Sequence, residues 1–194
     1  TVRDIAKKYD YEIIRFFMLS AHYRNPVNFS DVLMEQAKSA VERVYTCIGN
    51  LKFLLENGED RPLHAVEQEL SRQVDACRQK FIDAMDDDLN TADAIAAIFD
   101  IVYAANTALS NEQKNAVSVV EKALGAILEL GGVLGLFQKQ EQDIDAEVEA
   151  LIEERNAARK EKNWARADEI RDQLKAMHIE LKDTPMGVKW SYIK

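Results

Sequence analysis

Four side chains near the C-terminus have types and spacings that suit contact with single-stranded RNA. They follow one another at steps of four, three and four residues: Trp164, Asp168, Arg171 and Lys175. At about 100° per residue, these steps place all four on one face of a helix. An aromatic ring can stack on a base, an arginine can bind phosphate or a base edge, and a carboxylate can accept hydrogen bonds from guanine N1–H and N2–H. The pattern therefore predicts an RNA-binding face.

A second interpretation of the same residues needs no ligand. Trp164 follows Asn163, which is a good N-cap residue, and its ring could simply cover the turn before the helix. Asp168 and Arg171 are three residues apart and could form a surface ion pair. Another face of this helix, about 110° away, carries Ala167, Ile170, Leu174 and Met177, and it must be buried in either case.

The charge distribution separates the same C-terminal segment from the rest of the chain. Residues 151–194 carry 10 Lys and Arg against 8 Asp and Glu, whereas residues 1–150 carry 15 against 26. The segment includes a basic run, formed by Arg155, Arg159, Lys160, Lys162 and Arg166. Arg159 and Lys162 lie just before the bend and could close the same pocket. An acidic body with a locally basic end favours a polyanionic partner at that end.

Outside this segment the sequence offers little that could do chemistry. It has no nucleophile triad, no phosphate-cradling glycine loop and no Cys/His spacing typical of zinc sites, so we expect no catalytic residue and no metal ligand. Three consecutive acids, Asp86–Asp88, would project about 100° apart on a helix and could not converge on one ion. A solvated helix end explains them. Tyr23–Arg24 could touch a phosphate backbone, or Arg24 could cap the preceding helix.

The bulk composition indicates a cytoplasmic protein without membrane or DNA partners. No apolar run approaches the ~18 residues of a membrane span, and no signal peptide is visible. Cys47 and Cys77 lie in helical patterns among apolar residues, which indicates two buried thiols in a reducing compartment. The chain begins at Thr1 rather than Met, and we expect it to be a piece of a longer protein.

Long amphipathic helices must position the candidate residues, because the chain has only 7 Gly and 3 Pro to interrupt them. Apolar side chains recur every three or four residues along most of the sequence. Six helix starts are predicted in the first two thirds of the chain, near Thr1, Asp10, Ser30, His64, Asn90 and Asn111. The last of these helices is expected to end at Gly131–Gly132. Such helices with short connections form an antiparallel bundle.

The pattern changes after a polar stretch at residues 138–146. Two helical segments are followed by two alternating segments that are typical of strands about a turn. We therefore predict a mostly α fold in four parts: a helical connector at 1–29, a helical bundle at 30–137, a linker at 138–146 and a small α+β domain at 147–194. So small a domain is marginal alone, and we expect Trp190, Tyr192 and Leu181 to pack onto its helices.

Four stretches of the sequence match phrases of one known family. They are Thr1–Ile5 (TVRDI), Tyr11–Arg24 (YEIIRFFMLSAHYR), Phe81–Thr91 (FIDAMDDDLNT), and Ala158–Asp172 together with Leu181–Asp183. Taken together, these stretches resemble the C-terminal half of bacterial cysteinyl-tRNA synthetases. The first is similar to the segment after that family's lysine-rich active-site loop, and the second and third to its DALR-type helical bundle. The last is similar to its small anticodon-reading domain.

The resemblance implies a class I synthetase that activates cysteine with ATP and magnesium and transfers it to tRNA-Cys, using a zinc ion to select the thiol. It implies that this apparatus belongs to a catalytic domain upstream of Thr1, so that this piece has no activity and no cofactor of its own. The partners implied are tRNA-Cys and that upstream domain. The region at 1–29 would contact the tRNA stem, the bundle would act as a spacer, and the small domain would contact the GCA anticodon.

Carried over position by position, the family's anticodon contacts fall on five residues: Arg159, Trp164, Asp168, Arg171 and Asp183. Lys162 joins them in the predicted tRNA-binding set, and Asp168 or Asp183 would accept from the guanine edge. His178 departs from the family, where glycine is usual at the turn before the strand, and a left-handed conformation there would strain the chain just before the strand that carries Asp183.

The leading hypothesis is therefore a tRNA-binding region of cysteinyl-tRNA synthetase. The alternatives are a helical module that docks protein partners through the acidic bundle surface, and the tRNA-binding appendage of another class I synthetase.

Overall fold

The chain forms two compact units, Thr1–Gln138 and Lys139–Lys194. The computed structural model describes residues 1–109, 114–138, 146–160, 163–176, 179–184 and 187–192. The division into two units falls close to the predicted linker. The finer boundaries predicted from the sequence, such as that between 29 and 30, stay predictions.

Helices build the described part of the first unit. They are α1 (Val2–Ile5), α2 (Tyr11–Leu19), α3 (Asp31–Glu56), α4 (Ala65–Asp86), α5 (Thr91–Ala108) and α6 (Val117–Val133). Helix α4 packs against α5 and α6, α3 packs against α6, and α2 packs against α3. The core between them contains fully buried apolar side chains such as Met34, Val44, Ile98 and Ile127. The predicted helical bundle is confirmed.

Polar side chains fix where three of these helices begin. Asp10 Oδ1 accepts a hydrogen bond from the Glu12 N–H at 2.8 Å, and Ser30 Oγ accepts one from the Leu33 N–H at 3.2 Å. Asn90 Oδ1 accepts one from the Asp93 N–H at 3.2 Å. Each bond satisfies an amide that has no partner inside the helix. The helix starts predicted at these positions are confirmed.

The start and end of α6 differ from the prediction. The helix begins at Val117 and runs through Gly131–Gly132 to Val133. Residues just before it form an isolated β-bridge instead, in which the Glu59 N–H donates to the Asn115 carbonyl and the Val117 N–H donates to the Glu59 carbonyl. Gly131 serves packing rather than termination, because a Cβ there would lie 2.7 Å from the Phe137 ring. Asn111 lies outside the described residues.

A buried carboxylate, Glu67 on α4, anchors this bridge. It accepts hydrogen bonds from the Arg61 guanidinium at 2.8 and 2.9 Å, from the His64 N–H at 2.8 Å and from the Ala116 N–H at 2.9 Å. Burial would raise the pKa of Glu67, but these bonds outweigh it and lower the pKa to about 2. The carboxylate therefore stays charged and ties the loop before α4 to the start of α6.

The second unit contains α7 (Ala146–Lys160), α8 (Trp164–Ala176), β1 (Ile179–Thr184) and β2 (Gly187–Tyr192). The two strands pair antiparallel, with Leu181 opposite Trp190 and Asp183 opposite Val188. Helix α8 packs against α7 and against β1. Leu181 packs on the helices as predicted, and the side chains of Trp190 and Tyr192 lie outside the description.

Candidate nucleic-acid interface

Helix α8 buries one face completely. Ile170 and Leu174 are 0% exposed, and Ala167 is buried beside them. Leu151 and Ile152 of α7 and Leu181 of β1 pack against Ile170 and Leu174 to complete a small core. The face predicted to be buried is therefore confirmed where the structure describes it, and Met177 lies outside the described residues. Burial of this face fixes the rotation of α8 about its axis.

A second face of α8, about 110° from the buried one, is open to solvent. Asp168, Arg171 and Lys175 are exposed. Trp164 is 58% exposed, so its ring is not buried against the turn before the helix. Within the part of the chain that the structure describes, neither Asp168 nor Arg171 forms a hydrogen bond or an ion pair. The predicted surface pair between them is therefore not formed. The face presents a ring, a carboxylate acceptor and two cations to solvent.

Asn163 sets the position of Trp164 at the start of α8. Its Oδ1 accepts a hydrogen bond from the Arg166 N–H at 3.3 Å, and its own N–H donates to the Ala158 carbonyl at 2.8 Å. The first bond caps α8 and the second ties the cap to α7. The predicted N-cap is confirmed, and it makes Trp164 the first residue of the helix, where an exposed ring can stand clear of the backbone.

The basic run is less available to a polyanion than its sequence suggests. Arg166 donates to Glu154 at 2.9 Å and to Glu169 at 2.7 Å, so its charge is neutralised within the unit. Hydrogen bonds to Glu169 and Glu154 raise the pKa of Arg166 further. Arg155 is buried. The i,i+3 spacing of Arg166 and Glu169 on one helix could have revealed that pair, whereas the pair with Glu154 joins two helices.

The charge contrast is also weaker when it is counted by structural unit. Residues 1–138 carry 14 Lys and Arg against 21 Asp and Glu, and residues 139–194 carry 11 against 13. The second unit is thus close to neutral rather than basic, since α7 begins with acidic residues. Its cations on α8, Arg171 and Lys175, therefore act locally.

Three of the predicted site residues have incomplete descriptions or a different environment. Arg159 is half-buried on α7 and already takes part in a polar interaction. Asp183 lies on β1, opposite Val188, and its side chain is not described. Lys162 lies outside the described residues, as does His178.

In the first unit, Tyr23 and Arg24 bind a neighbouring acid. Arg24 Nη2 lies 2.7 Å from Asp88 Oδ2, and the Tyr23 hydroxyl donates to Asp88 Oδ1 at 2.9 Å. The His22 ring stacks on the Tyr23 ring at 4.8 Å. Asp88 and Leu89 have φ values of 57° and 56°, so the chain turns sharply between α4 and α5. Asp88 thus binds the segment that follows α2 rather than joining Asp86 and Asp87 in a cluster.

No metal-binding cluster is present among the described residues. Nowhere among them do three His, Cys, Asp or Glu side chains gather closely enough to hold a metal ion. Over the same residues, no helix is both long and apolar enough to cross a membrane. Cys47 and Cys77 are buried in α3 and α4, and burial raises the pKa of the Cys77 thiol.

Three protein families match successive parts of the chain. Residues 1–39 match the tRNA synthetases class I (C) catalytic domain, and residues 80–138 match the DALR domain. Residues 141–190 match the cysteinyl-tRNA ligase anticodon binding domain. The first match extends the relationship to a catalytic domain through α2 and into α3.

The chain is also similar to curated bacterial proteins over nearly its whole length. It is 51% identical over 192 residues to a cysteine–tRNA ligase of Lachnospira eligens, covering 98% of this chain and 40% of that protein. It is 48% identical over 194 residues to one of Clostridioides difficile, covering 100% and 41%. It is 47% identical over 192 residues to one of Symbiobacterium thermophilum, covering 98% and 40%.

The chain thus spans about two fifths of the length of the relatives it matches. Its family matches run from a stub of the catalytic domain, through the bundle, to the anticodon binding domain. These findings confirm the resemblance of the chain to the C-terminal half of bacterial cysteinyl-tRNA synthetases.

Proposed function

We propose that the chain is the tRNA-binding region of a cysteinyl-tRNA synthetase, which ligates cysteine to tRNA-Cys with ATP. The second unit recognises the GCA anticodon, and the region at 1–29 contacts the tRNA stem. The supporting observation is the division of α8 into a buried apolar face and an open face that carries Trp164, Asp168 and Arg171. The match of residues 141–190 to an anticodon binding domain supports tRNA as the ligand proposed for that face.

The predicted contact residues differ in what they do for RNA recognition. Trp164 stacks on an anticodon base, and Arg171 binds phosphate or a base acceptor. Asp168 or Asp183 accepts hydrogen bonds from the Watson–Crick edge of the guanine, which a carboxylate can do while it repels phosphate. Arg159 and Lys162 complete the proposed set of tRNA-binding residues. Recognition of an unpaired loop by stacking and edge contacts is the common mode for single-stranded RNA.

The cofactors of the reaction belong to the catalytic domain in this proposal. ATP, magnesium and zinc would bind there, and that domain is the second partner of the chain besides tRNA-Cys. In this proposal the chain's own contribution is to hold the tRNA.

The test is a titration of this chain with tRNA bearing GCA and with the same tRNA changed at the first anticodon base. We expect the GCA tRNA to bind several-fold tighter, and binding of either tRNA to weaken steeply with added salt, because phosphate contacts release counterions. Equal affinities for the two tRNAs would contradict anticodon recognition. An affinity that does not change with salt concentration would instead favour the protein-docking alternative.

The variant Trp164→Ala sharpens this titration. Loss of one stacked aromatic costs ~1–3 kcal/mol, so the dissociation constant for GCA tRNA should rise by about 5- to 150-fold. Tyr103→Ala is the matched control, since Tyr103 is 74% exposed on α5 of the first unit. It should bind tRNA like the wild type. An unchanged affinity in Trp164→Ala would remove that ring from the site.

A further inference from the structure

The described cations of the chain fall into two groups. Most bind a group of the chain itself, as Lys122 binds Asp75 at 2.6 Å and Arg61 binds Glu67 at 2.8 Å. A few Lys and Arg side chains make no hydrogen bond, ion pair or ring contact in the part of the chain whose side chains are described. They are Arg3, Lys38, Lys114, Arg171 and Lys175. The first three lie far apart in the sequence of the first unit, whereas the last two are neighbours on α8.

Lys175 lies in the last turn of α8, on its open face. At about 100° per residue, Lys175 projects within about 20° of Trp164, and Arg171 projects about 20° to the other side. At about 1.5 Å per residue, Lys175 lies about 6 Å beyond Arg171 and roughly 16 Å beyond Trp164 along the helix axis. The three exposed side chains therefore form a nearly straight row along α8, with a ring at one end and a cation at the other.

The helix offers Lys175 an acid, but the two do not pair. Asp172 lies three residues before Lys175, a spacing at which helical side chains can meet. Arg166 and Glu169 form such a pair on the same helix, at 2.7 Å. Over the described residues, neither Asp172 nor Lys175 forms a hydrogen bond or an ion pair. Arg171, four residues before Lys175, carries a like charge, which an isolated helix disfavours. An anion from outside the chain would therefore stabilise both cations.

A purely structural role for Lys175 is the interaction of its charge with the last carbonyls of α8. A cation in the last turn of a helix contributes about 0.3–1 kcal/mol. That role needs no RNA, and it predicts that substitution of Lys175 changes only the stability of the second unit. It also leaves Arg171 unexplained, because Arg171 lies before the last turn. An RNA strand along the row accounts for both cations.

We propose that Lys175 binds a backbone phosphate of the RNA strand whose base stacks on Trp164, so that the site on α8 extends beyond the predicted anticodon contacts. This inference rests on the proposed function. Stacked nucleotides of one strand are about 3.4 Å apart, so the roughly 16 Å between Trp164 and Lys175 exceeds the span of three bases. The phosphate therefore belongs to a nucleotide that flanks the anticodon.

The role of this contact differs from that of the other contact residues. A lysine ammonium is a point charge, and a phosphate carries no sequence information. Lys175 should therefore add affinity for any tRNA and leave the preference for GCA unchanged. Each phosphate neutralised on a single strand adds about 0.7 to the slope of log affinity against log salt. The advantage of the wild type over a neutral variant should thus shrink about 5-fold for each ten-fold rise in salt.

The experiment titrates the 194-residue chain with GCA tRNA and with the tRNA changed at its first anticodon base, at several salt concentrations. Lys175→Met and Lys175→Gln remove the charge and keep good helix propensity. Lys175→Arg is the conservative rescue, because it keeps the charge. Lys38→Met is the matched control, since Lys38 is an exposed, unpaired lysine on α3 of the first unit. Tryptophan fluorescence melts verify that the second unit of each variant is folded.

A second set of tRNAs locates the contact. In each of them, one phosphate of the anticodon loop is replaced by a neutral methylphosphonate. At the contacted position, the replacement should weaken binding of the wild type but not of Lys175→Met, in which the charge pair is already lost. At every other position, the wild type and Lys175→Met should respond alike.

We expect both neutral variants to show a slope shallower by about 0.7 with an unchanged preference for GCA, whereas Lys175→Arg and Lys38→Met keep the wild-type slope. The inference is overturned if the neutral variants keep the wild-type slope or lose the preference for GCA. It is also overturned if no phosphate is coupled to Lys175, or if the coupled phosphate lies within the anticodon. A wild-type chain that binds both tRNAs equally overturns the proposed function, whatever the slopes, and one that binds neither tRNA overturns both.

Discussion

The two units of this chain stabilise themselves in different ways. The first unit has a large apolar core, and many of its exposed charges pair across helices, as in Lys80–Asp100, Lys122–Asp75 and Arg78–Glu129. The second unit has a core of two fully buried residues among those described, Ile170 and Leu174, with three partly buried neighbours. Its open α8 face keeps a ring and charges that bind nothing else in the described structure.

The polar side chains of the two units therefore serve different purposes: those of the first unit support the backbone, and those on the open face of the second unit are available to recognise a partner. In the first unit, the carboxylates of Glu67 and Glu12 accept hydrogen bonds from backbone N–H groups and so hold the backbone in place. In the second unit, Asn163 and Arg166 stabilise the bend between α7 and α8, and the open face of α8 remains available to a partner. Because the second unit has so small a core, a single substitution in that core should be enough to unfold its recognition surface. The first unit, with its larger core, should tolerate such a substitution.

The largest expected effect comes from the core of the second unit. Leu174→Ala removes one of its two fully buried side chains, which costs about 2–5 kcal/mol. A unit of this size rarely has more than about 3–5 kcal/mol from its core, so we expect it to unfold. Both tryptophans of the chain lie in this unit, so the fluorescence transition should vanish while the circular dichroism transition of the first unit persists.

Leu70→Ala is the matched change in the first unit, where Leu70 is 1% exposed. It should lower the midpoint of the circular dichroism transition but leave it cooperative, with tryptophan fluorescence unchanged. If Leu174→Ala keeps a wild-type fluorescence transition, the second unit is not the fragile one. If both units melt together in either variant, the comparison between them fails.

The next effect concerns the pH dependence of the first unit. The pKa of Glu67 is about 2 in the folded chain, below its usual 4.5, so its stabilising contribution is present above about pH 4.5 and is lost as pH falls toward 2. The shift corresponds to on the order of 3 kcal/mol. We expect Glu67→Gln to lose roughly that much at pH 7, and its difference from wild type to shrink between pH 5 and pH 2, measured by urea unfolding.

Glu69→Gln provides the control on the same helix. Glu69 is exposed and pairs with Arg72 at 2.7 Å, three residues away, so the change should cost at most about 0.5 kcal/mol. The fluorescence transition of the second unit should be the same in both variants. A Glu67→Gln protein as stable as wild type at pH 7 would show that the anchor between α4 and α6 is dispensable.

The sequence predicted the helices well because their signals are local. Asp10, Ser30 and Asn90 cap the helices that they were expected to begin, and the apolar spacing identified the buried face of α8. The prediction from sequence failed where a contact between residues far apart in the chain determines the local structure. The start of α6 is set by a bridge to Glu59, and Gly131 makes room for Phe137, so neither position could be inferred from its neighbours.

The candidate site was predictable in outline but not in detail. Periodicity placed Trp164, Asp168 and Arg171 on one face, and the structure exposes that face. The pairing of Arg166 with Glu154 depends on how two helices pack, which spacing within one helix does not reveal. The contact between the Phe137 N–H and Glu12 was missed for a stronger reason, since the two residues are separated by most of the first unit and neither is unusual in its own segment.

The smallest expected effect decides which carboxylate reads the guanine. A carboxylate that accepts both N1–H and N2–H of guanine should contribute about 1–3 kcal/mol of discrimination, as bidentate contacts to bases generally do. An asparagine keeps one acceptor but places a donor where the second is needed. We therefore expect one of Asp168→Asn and Asp183→Asn to reduce the preference for GCA over a changed first base, by about 5- to 150-fold, while the other retains it.

The direction of the change in overall affinity makes this prediction specific. Removing a negative charge near phosphates should strengthen binding of the changed tRNA slightly in both variants, because the carboxylate repels phosphate. Only the guanine reader should also weaken binding of the GCA tRNA. Asp172→Asn is the matched control, because Asp172 is another exposed acid on α8 and is not one of the predicted contacts. If neither Asp168→Asn nor Asp183→Asn lowers discrimination below that of Asp172→Asn, guanine is read by a residue other than these two acids, and the open face of α8 contributes affinity without specificity.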